Sequence, residues 1–403
     1  MRGRRMRRTY VVAPVVTVLA VGGLYWLMLH GYLELTAYLL VIAVLGMLAA
    51  AVWEWRRGHR TGPVILLVGA IFTATVVGAY GWNLNQKLDN IQRADDSVLD
   101  KGVRPAKKKD NEALNILLMG ADNPNQLEKK PTVAELLADG EWDPGAYRSD
   151  TMMVVHIPAN RKSAYVVSVP RDSYVTIHDE VGGKHGKNKI NEAFSQYGPF
   201  GTFRTIESLS NLRIDHMAII DFEGFRDLST AVGGVDVHVP ESFYDAQQDV
   251  EWKQGRNHLE GVLALKYVRT RHGLANGDFD RVDRQQNFLR ALMAKVLDDG
   301  TIGNPVKFTD TLEAITKHLT VDASWKSGDI RGLALSLRNL DARKVRFMTL
   351  PLDHYETVPD AGSVNIIAAG RARELWNAVE TDKVGRYLKA HPDDELPEPG
   401  DVS

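Results

Sequence analysis

The chain has 403 residues, a formal net charge of -2 and no cysteine. That length leaves room for two or three domains, and so small a net charge gives no global field that would draw in nucleic acid. Without thiols, disulfides, cysteine-ligated zinc, iron–sulfur clusters and cysteine nucleophiles are excluded.

The chain opens with a basic tail, Arg2, Arg4, Arg5, Arg7 and Arg8. Three apolar runs follow, residues 11–29, 35–53 and 64–82. Each matches the ~20 residues that a helix needs to cross a bilayer. The first also fits a signal peptide behind its basic start. Its length, and the two similar runs that follow at once, favour three retained transmembrane helices. The loop between the second and third runs carries Arg56, Arg57 and Arg60, whereas residues 30–34 hold no Lys or Arg. Cationic loops stay on the cytoplasmic side. The expected topology is therefore a multi-pass cell-membrane protein with a cytoplasmic N-terminus and everything after Asn83 outside. Trp26, Trp53, Trp55 and Trp82 sit near the span ends, as interfacial aromatics do. No charged residue lies inside a run, so residues 1–84 read as a lipid-bilayer anchor and not as an ion path.

Residues 85–112 are polar and charged and read as a stalk. Residues 113–390 read as one outer domain, and the acidic, proline-bearing residues 391–403 as a disordered tail. Within the outer domain, residues 114–119 form a short apolar run, the signal of a buried strand. Residues 151–157 and 163–169 are β-rich and flank Pro158, Ala159 and Asn160, which predicts a hairpin. Further strands are expected at 214–220, 235–239 and 345–350. Helical spacing covers 200–211, 222–232, 259–268, 281–297 and 365–379. Such a mixture predicts an α/β domain, a mixed central sheet flanked by helices. Residues 182–188 superficially suggest a phosphate loop, but the spacing is one short and Asn188 stands where Ser or Thr is required.

Polar clusters interrupt the apolar runs. Arg148, Ser149 and Asp150 precede a predicted strand, and Pro170, Arg171 and Asp172 follow one. Lys187, Lys189 and Asn191 precede a helix. Arg269, Arg271 and His272 close one. Asp278, Asp280, Arg281, Arg284 and Gln285 open another, with 281, 284 and 285 on one face. Arginine forks match phosphate oxygens. Carboxylates among them would repel phosphate unless a divalent cation lay between, a task that suits Mg2+. The pattern thus points to a polyanion site with metal assistance; taken one by one, the clusters also read as ordinary surface ion pairs. The Asp278-Phe279-Asp280 triplet also matches the metal-binding Asp-x-Asp of glycosyltransferases that use nucleotide-sugars, but an external domain has no supply of that donor.

Taken together, these stretches resemble the LytR-CpsA-Psr family of cell-envelope proteins. The similar segments are RSDTMMVVHI (148–157), SVPRDSYVTI (168–177), KINEAFSQYG (189–198), DFEGFRDLSTAVGGVDVHVP (221–240), LEGVLALKYVRTRH (259–272) and DFDRVDRQQNFLRAL (278–292). The three-span anchor resembles one branch of that family. The resemblance implies a phosphotransferase, a glycopolymer–peptidoglycan ligase. Its substrate would be a glycopolymer linked to a polyprenyl pyrophosphate of undecaprenyl type, its acceptor peptidoglycan, and its cofactor Mg2+. By position, Asp150 and Asp278 correspond to the metal carboxylates. Arg171, Arg269, Arg271 and Arg281 correspond to the catalytic clamp, joined in binding by Lys189, Arg284, Gln285 and Arg148. Asp172 and Asp280 are the nearby candidates for a proton acceptor, and neither is assigned. One departure stands out: where the family often has Gly-x-Asp-Ser-Arg, Asn123 and Pro124 follow Asp122, and a long polar insertion covers 126–145. The rival readings are a hydrolase of the same lipid and a non-enzymatic membrane-bound regulator or scaffold.

Overall fold

The computed structural model describes residues 33–122, 133–138, 142–270, 278–297 and 304–402, apart from 59, 108–112, 338 and 339. The chain divides into two units, Met1–Lys87 with Val296–Leu312, and Leu88–Lys295 with Glu313–Ser403.

Two long apolar helices mark the first unit, α1 (Leu33–Arg56) and α2, which begins there and spans Thr61–Asp89. Val41, Ile42, Leu45, Ile65, Val68, Ile71 and Phe72 are exposed on them, so no protein core covers their apolar surface. Among the described residues these two are long and apolar enough to cross a membrane. The first apolar run, residues 11–29, lies outside the described residues.

The second unit is built on a seven-stranded mixed sheet. Its strands are β1 (Gln92–Ala94), β2 (Leu114–Asp122), β3 (Arg148–Ile157), β4 (Ala164–Ser168), β7 (His216–Asp221), β12 (Leu319–Asp322) and β13 (Val345–Thr349). Across the sheet the order is β1-β12-β7-β2-β3-β4-β13. Central strands read as unbroken apolar runs because both faces are covered. The pleat sends alternate residues to opposite sides. Leu117, Met119, Met152 and Val154 join one core with Phe194, Phe203, Leu375 and Trp376. Ile116 and Met153 join the other with Trp325, Leu340 and Phe347. Helix Asn191–Ser210 and helix Ala369–Glu380 supply the first face; helix Asp278–Val296 packs Leu289 and Met293 on the second. The α/β architecture with a mixed central sheet agrees with the expectation from periodicity.

Three expectations need correction. The supposed stalk is partly a strand, because β1 pairs with β12 in parallel and so extends the sheet. The helix expected at 365–379 begins only at Ala369; residues Gly362–Ile367 pair with Leu352–Val358 as a hairpin, β14–β15. The tail expected to be disordered is packed. Leu396 and Val402 are buried, Leu396 N–H donates to Phe347 O (2.9 Å), and Glu395 bridges to Met348. That segment covers β13, an edge strand whose backbone groups would otherwise be open to strand pairing.

Candidate active site at one edge of the sheet

Strand direction gathers the polar clusters. Strand β2 is parallel to β7 and antiparallel to β3; β3 is antiparallel to β4; β4 is parallel to β13; β7 is antiparallel to β12. The ends of β2, β4, β7 and β13 therefore share one sheet edge with the starts of β3 and β12. Asp150, the third residue of β3, and Arg171, just past β4, meet there although neither is local to the other.

The contacts form a chain of alternating charge. Arg171 Nη1 donates to Asp150 Oδ1 at 2.7 Å, while its Nε stands 3.5 Å from Asp172 Oδ2. Lys189, the last residue of β6 (Lys184–Lys189), places Nζ 3.2 Å from Asp172 Oδ1. Arg281, in the first turn of helix Asp278–Val296, places Nη1 3.5 Å from Asp150 Oδ2. Three cations face two carboxylates in the contacts described, and arginine forks among them match the geometry of phosphate-type anions. Asp150, Arg171, Asp172 and Lys189 are half-buried, whereas Arg281 is 1% exposed.

Backbone bonds hold the Arg171 loop in place. Ser173 N–H donates to Pro170 O (3.0 Å), Asn191 N–H to Arg171 O (3.1 Å), Ile190 N–H to Ser173 O (2.9 Å), and Asn365 N–H to Asp172 O (2.8 Å). The loop is thus tied both to the start of helix Asn191–Ser210 and to the β14–β15 hairpin. That fixes the loop backbone, and the bond to Asp150 orients the guanidinium on it, the kind of arrangement that preorganised electrostatics requires.

The other expected residues divide. Arg269, at the end of helix Gly261–Arg269, lies 4.0 Å over the Phe222 ring, the residue after the edge residue Asp221. Gln285 Nε2 donates to Val268 O (3.3 Å) and so fastens the two helices beside Arg269. Arg148 is exposed at the first position of β3. Arg284, expected to bind substrate, is turned into the interior. It is 1% exposed and stacks on Phe243 (4.6 Å) and Tyr267 (5.2 Å), and burial lowers its pKa. A cation over the faces of aromatic rings is held there by their quadrupoles. Asp278 begins the helix that carries Arg281, but its side chain lies outside the described residues, as do Arg271 and His272. Asp280 is buried, and Asp283 is pushed up to about 6 by burial and then by the Asp280 charge. The sequence offered Asp172 as an unassigned candidate proton acceptor; its place as the link between Arg171 and Lys189 follows from the β5–β6 hairpin (β5, Tyr174–His178), which no periodicity had revealed.

Among the described residues no group of three or more His, Asp or Glu side chains forms a ready metal cage. Mg2+ commonly takes one or two carboxylates and completes its shell with phosphate oxygens and water. Asp150 fits that limited part: a half-buried carboxylate facing cations that would also bind the phosphates.

A mixed α/β/α domain with a cationic, carboxylate-bearing sheet edge defines a class of anion-handling protein. The comparisons place it further: residues 80–381 match the LytR_cpsA_psr family, and the chain belongs to that family. Among its relatives, the cell wall biosynthesis protein LcpA of Corynebacterium glutamicum is 31% identical over 293 residues, 65% of this chain and 54% of LcpA. The polyisoprenyl-teichoic acid–peptidoglycan teichoic acid transferase TagV of Bacillus subtilis is 32% identical over 259 residues, 61% of each chain. The chain thus spans a little over half of the one and about three fifths of the other. The crystal structure of B. subtilis TagV superposes with TM-score 0.53 at 25% identity, covering 69% of this chain and 98% of that one. A structure of TagT bound to LI-WTA gives 0.51 at 25%, covering 70% and 96%.

Proposed function

We propose that this protein transfers a phosphate-linked glycopolymer from a polyprenyl pyrophosphate carrier to peptidoglycan, outside the membrane that anchors it. The observation that carries this reading is the network centred on Asp150, in which Arg171 and Arg281 hold one carboxylate from two sides. Relatives named as teichoic acid transferases to peptidoglycan support the reaction class.

In this mechanism Arg171, Lys189 and Arg281 bind and orient the pyrophosphate. Charge that builds on its oxygens in the transition state meets donors already in position. Arg269 completes the clamp from the end of helix Gly261–Arg269, and Arg271, two residues further along the sequence, is assigned to the same clamp. Asp150, with Asp278, would hold Mg2+, which when bound supplies charge neutralisation at the phosphate oxygens. Gln285 keeps the Arg269 end of the site in register.

The test is transfer itself. The full chain, reconstituted in vesicles, is given a labelled polyprenyl pyrophosphate–glycopolymer and purified peptidoglycan. Label should move to peptidoglycan, and Arg171→Ala should slow it by about 10- to 100-fold, the value of one charge-assisted bond. Label released only to water would make the protein a hydrolase. Absence of any release would overturn the reading.

A further inference from the structure

The clamp leaves the β7–β12 end of the same sheet edge unused. There β7 ends at Asp221, and His318 immediately precedes β12. The ladder pairs Leu319 with Ile220, so one step further sets His318 opposite Asp221, and His318 Nδ1 stands 3.8 Å from Asp221 Oδ1. Both line a shallow cleft with Lys317 and Gln92, beside the apolar side chains of Val133 and Ile219. Val133 belongs to helix Val133–Ala138, within the long polar insertion, and is packed into the core.

The cleft sets acceptors beside donors. His318 Nε2 lies 3.0 Å from Asp227 Oδ2. That contact fixes Nε2 as the donor of the neutral ring and presents Nδ1 as an acceptor on the cleft side. Asp221 Oδ1 accepts from Gly224 N–H (2.6 Å), which orients a carboxylate that keeps 37% of its side chain exposed. Lys317, 65% exposed and 3.9 Å from Asp227, and the Gln92 amide add donors. Donors and acceptors beside an apolar wall suit the hydroxyl groups of a neutral saccharide. They suit a phosphate poorly. Burial, and then the carboxylates of Glu135, Asp143 and Asp221, push the Tyr147 hydroxyl up, so negative charge gathers at this end. Arg226 is already engaged by Glu223 and Asp227.

Distance decides what His318 can do. Asp221 partners Ala121 on β2, and Ala121 partners Ser149 on β3, the residue before Asp150. Three strand spacings put His318 about 14 Å from Ser149. An imidazole that far away cannot take the proton of a hydroxyl attacking phosphorus held at Asp150 and Arg171. It can hold a neighbouring unit of the chain that carries that hydroxyl. We infer that the cleft of Asp221, Lys317 and His318 is a subsite for a neutral, hydroxyl-bearing saccharide unit of the acceptor, beyond the unit that reacts. The inference rests on the proposed function and adds to it the end of the sheet edge along which the acceptor lies.

The experiment uses the full chain in neutral nanodiscs, with three probes: an N-acetylglucosamine tetramer, a soluble poly(glycerol phosphate) and farnesyl pyrophosphate. Wild type should bind the tetramer with little dependence on salt, since no ion pair is formed. Lys317→Ala should weaken tetramer binding by about three- to tenfold, the value of one hydrogen bond. Asp221→Asn, which keeps a capping oxygen for Gly224, should do the same. Farnesyl pyrophosphate affinity should stay within about twofold of wild type in both. In the transfer assay both variants should need more peptidoglycan for half-saturation. Failure of wild type to bind the tetramer overturns the inference, as does undiminished tetramer binding in both variants. So does a defect seen only with poly(glycerol phosphate), or a loss of farnesyl pyrophosphate affinity in step with tetramer affinity. If wild type fails to bind farnesyl pyrophosphate while Lys317 and Asp221 still govern tetramer binding, the clamp reading falls and the saccharide cleft stands.

Discussion

Arg281 Nη1 stands 3.5 Å from Asp150 Oδ2, and this pair joins the first turn of helix Asp278–Val296 to the start of β3. Arg281 is almost fully buried while Asp150 keeps 16% of its side chain exposed. Arg171, on the other carboxylate oxygen, keeps 18%. The two arginines therefore share a partner at different depths: Arg281 reaches Asp150 from within the packed interior, whereas Arg171 keeps part of its side chain in solvent.

That difference predicts different mutational signatures. Arg171→Ala should keep its circular dichroism spectrum and thermal midpoint while losing about 10- to 100-fold in farnesyl pyrophosphate affinity, for a loss of roughly 1.5–3 kcal/mol. Arg281→Ala should lose affinity and also about 2–3 kcal/mol of stability, because its removal strips a buried partner from Asp150. Denaturant titration of both variants checks this, and equal stability for the two would contradict it.

Arg284 should behave as a structural residue. Arg284→Ala removes a guanidinium packed between Phe243 and Tyr267 and leaves a cavity, so about 2–4 kcal/mol of stability should be lost. Under conditions where the variant is folded, its farnesyl pyrophosphate affinity should lie within about twofold of wild type. A large affinity loss without a stability change would return Arg284 to the binding site.

Asp283 gives a pH dependence. Burial and the Asp280 charge raise its carboxyl to about 6 in the folded protein, against 3.8 ordinarily. Between those values the folded state holds a proton that the unfolded state has released. Its contribution to stability thus falls as pH rises from about 4 through about 6, then stays level. Asp283→Asn should raise the thermal midpoint near pH 7.5 and leave it unchanged near pH 4. The reverse pattern would show that the carboxylate is stabilised by its surroundings.

Metal and pyrophosphate should bind cooperatively. With only one or two carboxylates to hold it, Mg2+ alone should bind weakly, and farnesyl pyrophosphate should tighten it by about tenfold or more, with the same factor in reverse. Calorimetry on wild type, Asp150→Asn and Asp278→Ala checks this; coupling that survives both substitutions would remove these residues from the metal site.

Topology is testable because the chain has no cysteine. Val103 is 97% exposed, so Val103→Cys offers a single label site. A membrane-impermeant maleimide should modify it in intact cells without permeabilisation. Labelling that requires permeabilisation would reverse the orientation read from the arginine loops.

Much of the domain was legible in the chain. The run at 114–119 and the hairpin around 158–160 became β2, β3 and β4 because a strand buried on both faces must be apolar throughout. Short or polar strands left no such trace. Strand β1, only Gln92–Ala94, and the lysine-rich β6 have no apolar period, and tertiary pairing alone makes them strands. The acidic tail looked unable to fold for the same reason, yet Leu396 and Val402 suffice to dock it on a sheet edge that needs covering.

By itself the sequence determined the apolar helices, the α/β alternation, and the supply of arginines and aspartates at the ends of elements, since these depend on local composition and spacing. Only the tertiary structure decided which of those charges meet. Strand order and direction bring Asp150, Arg171 and Arg281 to one edge, and helix packing turns Arg284 inward while Arg171 stays accessible. Charge–charge contact depends on distances across the sheet, and residue spacing along the chain carries no measure of those.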